Sequence, residues 1–193
     1  MIQLTFKRLA IATLLGAFTM FTWGGLSHLI IFTGTGFTQL PNEDKVVEVL
    51  KTNISEKGLY FFPGKDFRNS TKEQNAVFES KYKNGPVGML IYRPLGGDVF
   101  SANKLIAEFI SNLISAFIAV LIASSLYARY WKRVLMIALL GVLACSSVSI
   151  IYWNWYEFPT SFFMAQILDM AISFLLTGLV ICRIIKPSQV TDR

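Results

Sequence analysis

The sequence predicts a membrane all-α fold: four transmembrane helices with a small extracytoplasmic α+β insertion between helices 1 and 2. Two observations carry this. Hydrophobic residues make up 53% of the 193 positions while charged residues make up 16%, a low share of charge for a soluble chain. The apolar residues also gather into four long runs, in which helices are the economical solution because lipid offers no partner to an unpaired backbone group. The layout reads as helix 1 in 1–33, the insertion in 34–103, and helices 2–4 with a C-terminal tail in 104–193.

The first run, Leu9 to Phe32, has His28 as its one ionisable residue. Lys7 and Arg8 precede it as they would precede a secretory signal. Its apolar region is too long for a signal, and no small-x-small cleavage site follows, so it reads as a retained anchor. The second run, Leu105 to Tyr127, contains Glu108. The third, Val134 to Trp153, contains no charge, and the fourth, Phe158 to Ile185, contains Asp169 and Arg183.

Basic residues near the span ends set the orientation. Lys7 and Arg8, then Arg129, Lys132 and Arg133, then Arg183, Lys186 and Arg193 all fall on one side of a four-span chain. The positive-inside rule makes that side the cytoplasm, with both termini there. The formal net charge of +6 therefore reads as topology, and no nucleic acid is expected as a partner. Cys145 and Cys182 fall at different depths, which argues against a disulfide.

Between the first two runs Gly, Pro, Asn and Lys enter. PNEDKVVEVLKTN predicts a short helix capped by Asn42, with Glu43 and Asp44 in its first turn. GLYFFPG predicts a strand ended by Pro63 and Gly64. A capping box from Ser70 to Glu73 predicts a second helix reaching about Tyr82, and VGMLIYRP a second strand that pairs with the first. So small a segment is marginal for a core of its own and is expected to rest on the membrane helices. Asn53-Ile54-Ser55 and Asn69-Ser70-Thr71 match the glycosylation sequon, which carries no meaning in a bacterial chain.

GLYFFPG followed by GPVGMLIYRPLGG and then AEFISNLISAFIAVLIAS resembles a group of bacterial four-span integral membrane proteins of uncharacterised activity. The resemblance implies one anchor, a small outer domain and three further spans, in the bacterial inner membrane. It implies no activity.

Within the spans, Ser111, Ser115, Ala119 and Ala123 recur every four residues, as do Gly141, Cys145 and Ser149. Such small-residue faces let helices approach closely, which is the main route to association in lipid. Gln166, Asp169, Ser173 and Thr177 form one stripe of the fourth helix, and Glu108, Asn112 and Ser115 one stripe of the second. Counting by helix rise puts Asp169 about 14 Å below the outer surface, near the midplane, with Trp23 and Asn112 at its level. His28 and Glu108 come out shallower, about 6 Å in. Facing the two stripes together pairs Asp169 with Asn112. A charged acid at that depth costs on the order of 3 kcal/mol, so the expectation is an Asp169 that keeps its proton and is hydrogen-bonded across the bundle. As packing it decides which helix faces meet; as chemistry it is a proton or cation site opening toward His28, Glu108 and Glu157.

Other chemistries lack their residues. Paired haem ligands need more than one histidine, a thiol oxidase needs close cysteine pairs, and no P-loop, HExxH or nucleophile elbow occurs. No enzyme activity, metal or cofactor is expected. His28 with Glu108 and Glu157 is a weak ligand set, and a hydrogen-bonded interfacial histidine reads better. In YWNWYEFPTSFF, Trp153, Trp155 and Tyr156 with Tyr152 predict an interfacial aromatic belt, and Pro159 suits the first turn of the fourth helix. An aromatic pocket for a lipid or quinone tail is the other use of those rings.

The function expected from these readings is a non-enzymatic accessory or interaction subunit of a membrane complex. Its partners are the lipid bilayer and other membrane subunits, or further copies of itself through the small-residue faces. The alternative is a small proton-coupled transporter centred on Asp169, Asn112, Glu108 and His28. A lipid-acting enzyme using His28, Glu108 and Glu157 is a third and thinner reading.

Overall fold

The computed structural model describes residues 5–186, and Arg193, counted above for orientation, lies outside that range. The described chain is mostly helical, with a two-stranded sheet between helices. Four helical segments are long and apolar enough to cross a membrane: Phe6–Ile31, Ala102–Ser125, Tyr130–Trp155 and Thr160–Ile184. They coincide with the four apolar runs to within a few residues.

Helix α1 (Phe6–Leu26) starts where the Thr5 hydroxyl accepts from the Arg8 N–H at 3.3 Å, an ordinary N-cap. It continues into one π-helical turn, Ser27–Ile31, in which the Phe32 N–H reaches back to the Ser27 carbonyl at 2.7 Å. Helix α4 (Ala102–Ser125) is capped by Ser101; α5 (Tyr130–Trp155) and α6 (Thr160–Ile184) complete the bundle. Pro159 stands immediately before α6 rather than inside its first turn, where it cannot leave an N–H unpaired. Glu157 takes a left-handed backbone, φ 54°, in the link that ends α5.

The helices are not arranged by sequence order. α1 and α6 form the central pair, α4 packs on α1, α5 packs on α6, and α4 and α5 meet only slightly although they are consecutive. Small residues set these contacts. A Cβ on Gly16 would lie 3.0 Å from the Ile181 side chain and 3.1 Å from that of Ala116, and one on Gly141 would run into the Met170 carbonyl and sit 2.8 Å from the Phe174 Cβ. The buried core is accordingly narrow, built of Ala12, Ala17, Ala116, Ala119 and Ala123 with Val120, Val134, Ile137 and Ile181. The predicted small-residue face of α4 is half right: Ala119 and Ala123 are buried, but Ser115 is only partly so and Ser111 is exposed. On α5, Gly141 and Cys145 are buried as expected, and both cysteines are free.

Thr38–Val99 is a separate compact unit. Helix α2 (Glu43–Asn53) and strands β1 (Gly58–Phe62) and β2 (Gly88–Tyr92) fall where predicted, and the strands pair antiparallel from Gly58↔Tyr92 to Phe62↔Gly88. The Phe62 ring lies over Gly88, so a side chain at this strand position would have to displace the ring. Two caps differ from expectation. Asn42 precedes α2 but sits in a left-handed conformation, φ 51°, and its side chain makes no capping bond. Helix α3 (Lys72–Asn84) is capped one residue later than predicted: Thr71 accepts from the Gln74 N–H, and the Gln74 side chain accepts from the Thr71 N–H at 2.9 Å. Ser70 is instead drawn to the Asp66 carbonyl.

Aromatic contacts tie α3 to the chain before it: Phe61 stacks on Tyr82, Phe78 meets Tyr82 and Phe67, and the Lys65 ammonium stands 4.5 Å from the Phe78 ring. Even so, no residue from Thr38 to Val99 is buried.

Candidate functional site

The most enclosed acid lies on α6. Its stripe turns inward as predicted: Asp169, Ser173 and Thr177 are buried, and Gln166, one turn earlier, is half-buried. The helix it faces is α1. The Trp23 indole N–H donates to Asp169 Oδ1 at 2.7 Å and also approaches the Asp169 carbonyl at 3.2 Å, so one donor straps the side chain and backbone of α6 to α1.

The pairing with Asn112 is therefore corrected. Asn112 and Glu108 ride on α4, which packs mainly against α1. Asn112 is half-buried and is not a partner of Asp169, while Glu108 stays exposed with its carboxyl over Gly24 of α1. Trp23 stood at the right depth in the sequence, beside Gly24 and Gly25. What sequence lacked was the order of helices in space, which decides whether an amide on α4 or an indole on α1 meets the acid.

His28 was expected at a shallower level than Asp169 but on the side toward which the acid opens, and its Nε2 stands 3.7 Å from Asp169 Oδ2. Trp23 and His28 are five residues apart, which on a regular α-helix separates their directions by about 140°. Both side chains nevertheless reach one carboxyl, Trp23 from the last turns of α1 and His28 from the π turn that begins at Ser27. The distance exceeds a hydrogen bond, so the contact is electrostatic when the imidazole carries a proton, or is bridged by water. The His28 side chain is 56% exposed against 7% for Asp169, which places an accessible imidazole beside an enclosed acid.

His28, Phe32, Thr35, Phe37, Phe162, Ala165, Gln166 and Asp169 enclose a cavity of about 40 Å³. That volume suits an ordered water and is far below the roughly 300 Å³ at which organic-ligand pockets begin. Nearby, Gly36 packs so closely on Phe162, one of the lining residues, that a side chain there would overlap it.

The remaining predicted residues stand elsewhere. Trp153 donates its indole N–H to the Thr160 hydroxyl at 3.1 Å and stacks on Phe163, joining α5 to α6 across their link. Tyr156 lies against Tyr152, and Trp155 points outward, 71% exposed. These rings knit the link together. Among the described residues no cluster of three His, Cys, Asp or Glu side chains could hold a metal, so His28, Glu108 and Glu157 do not converge.

No protein-family model matches this chain, and neither a search of curated proteins nor one of solved structures yields a match.

Proposed function

We propose that this chain is a non-enzymatic accessory or interaction subunit of a membrane complex, and that its Thr38–Val99 unit carries the contact. The observation behind this reading is the unit's surface. It buries no side chain, and the cross-strand pair Leu59 and Ile91 is 65% and 80% exposed. Aligned apolar side chains left in water are a liability that a partner removes. The bundle supports the same reading, because Asp169 is engaged by Trp23 and the cavity beside it has no room for a solute. Lys7 and Arg8, Arg129 and Lys132, and Arg183 and Lys186 at the span ends support cytoplasmic termini, with the unit on the outer face of a bacterial inner membrane. The test is recovery, from the native membrane in mild detergent, of a partner in fixed stoichiometry with the wild-type chain and its loss from L59K/I91K.

A second reading rests on one contact. The exposed His28 imidazole beside the enclosed Asp169 is the geometry of a proton relay, and it favours a proton-coupled carrier. That reading requires a pH-dependent flux in liposomes that Asp169→Asn abolishes.

A further inference from the structure

At the other end of the bundle, where α5 begins and α6 ends, Tyr130, Arg133, Cys182, Arg183 and Lys186 line a pocket of about 590 Å³. We propose that this pocket binds a phosphate-type oxyanion, carried by an anionic lipid headgroup or by free phosphate.

Arg133 carries the argument. It sits in the first turn of α5 with none of its surface exposed, on the four-residue repeat that continues through Ile137, Gly141 and Cys145. Its Nε–H donates to the Ala123 carbonyl at 3.0 Å, closing the last turn of α4. That bond accounts for one edge of the guanidinium. The two terminal nitrogens, Nη1 and Nη2, are buried with no hydrogen-bond partner among the described residues. Charged donors withdrawn from water call for an acceptor, and the forked pair of an arginine matches two oxygens of one phosphate.

The surroundings fit the same ligand. Arg183 and Lys186 are exposed at the pocket and add two cations, and among the described residues no acid lines it. The Tyr130 hydroxyl is already committed to the Leu179 carbonyl at 2.9 Å, so the tyrosine fixes α5 on α6 and leaves oxyanion contacts to the three cations. The volume accepts a phosphate together with the glycerol part of a headgroup. Basic pockets between helices at a membrane surface are where anionic headgroups are held.

The test uses the full chain in detergent and the variant R183A/K186A, whose altered positions are exposed and leave Arg133 in place. Native mass spectrometry reads retained phosphatidylglycerol against phosphatidylcholine, and thermal unfolding reads the effect of added inorganic phosphate. The wild type is expected to retain phosphatidylglycerol preferentially, and the variant to lose at least about tenfold of that preference. If phosphate displaces the lipid and raises the melting temperature of the wild type alone, the ligand is the free anion. If phosphate does neither, the ligand is the lipid headgroup. Equal lipid retention by both proteins, with no phosphate effect on either, overturns the proposal.

Discussion

Trp23 and Asp169, 146 residues apart, are joined by a 2.7 Å hydrogen bond from the indole N–H to the carboxyl. It is a polar tie between the first and last of the four long apolar helices, made by the bundle's most enclosed acid. Interhelical hydrogen bonds in membranes average about 0.6 kcal/mol and reach about 1.7. A double-mutant cycle with Trp23→Phe and Asp169→Leu should give a coupling in that range, read by unfolding in mixed micelles. A coupling of zero would make the contact incidental. Asp169→Asn, which still accepts the indole N–H, should keep most of the stability.

The tight crossing of α5 and α6 makes its own prediction. Gly141→Ala pushes a methyl into the Met170 carbonyl and the Phe174 side chain, while Gly25→Ala meets nothing within 4 Å. The first should cost about 1–3 kcal/mol by overpacking. The second should be neutral or stabilising by up to about 1 kcal/mol, because alanine favours the helix. Equal effects would mean that the two helices are not in close contact at Gly141.

In the Thr38–Val99 unit, Asp66 organises the turn before α3. Its Oδ1 accepts from the Arg68 N–H at 2.8 Å and the Asn69 N–H at 3.2 Å, and its Oδ2 from the Asn69 side chain. The Arg68 N–H first, then the Asn69 side chain and N–H, hold its carboxyl below the usual carboxylate value of 3.8. A lowered carboxyl stabilises the turn above the unfolded-chain value and loses that contribution as pH falls through its folded value. Protection of the Arg68 and Asn69 amides from hydrogen exchange should therefore persist above the usual carboxylate value of 3.8 and fade as the pH is taken well below it. In Asp66→Asn the acid dependence should disappear; its survival would assign the effect to another group.

These elements also mark what the sequence makes legible. The four long apolar helices are local facts, written in long apolar runs, and they appear within a few residues of where they were expected. The inward turn of Asp169, Ser173 and Thr177 is periodicity on one helix and was equally readable. The partner of Asp169 was not, because the choice between Trp23 and Asn112 depends on α4 packing mainly on α1 while α1 packs on α6. Arg133 counted only as a topological charge. Its place four residues before Ile137 and eight before Gly141 was the available sign that it turns inward. The cap of α3 moved from Ser70 to Thr71 because Gln74 completes a capping box as well as Glu73 does, and Asp66 competes for Ser70.

The absence of buried residues between Thr38 and Val99 has a consequence for folding. A unit of this size with no enclosed core has little to offset its conformational entropy. The isolated Thr38–Val99 segment should show no cooperative thermal transition by circular dichroism, whereas the full chain should. A sharp transition in the segment alone would mean that its aromatic contacts suffice.

The reading as an interaction subunit is tested most directly by purifying the wild type and L59K/I91K from the native membrane and weighing what accompanies each. The account predicts a partner in fixed stoichiometry with the wild type, absent from the variant, while both chains have the same helical content. Two bare chains, together with a pH-dependent liposome flux that Asp169→Asn abolishes, would contradict it and leave the carrier reading in its place.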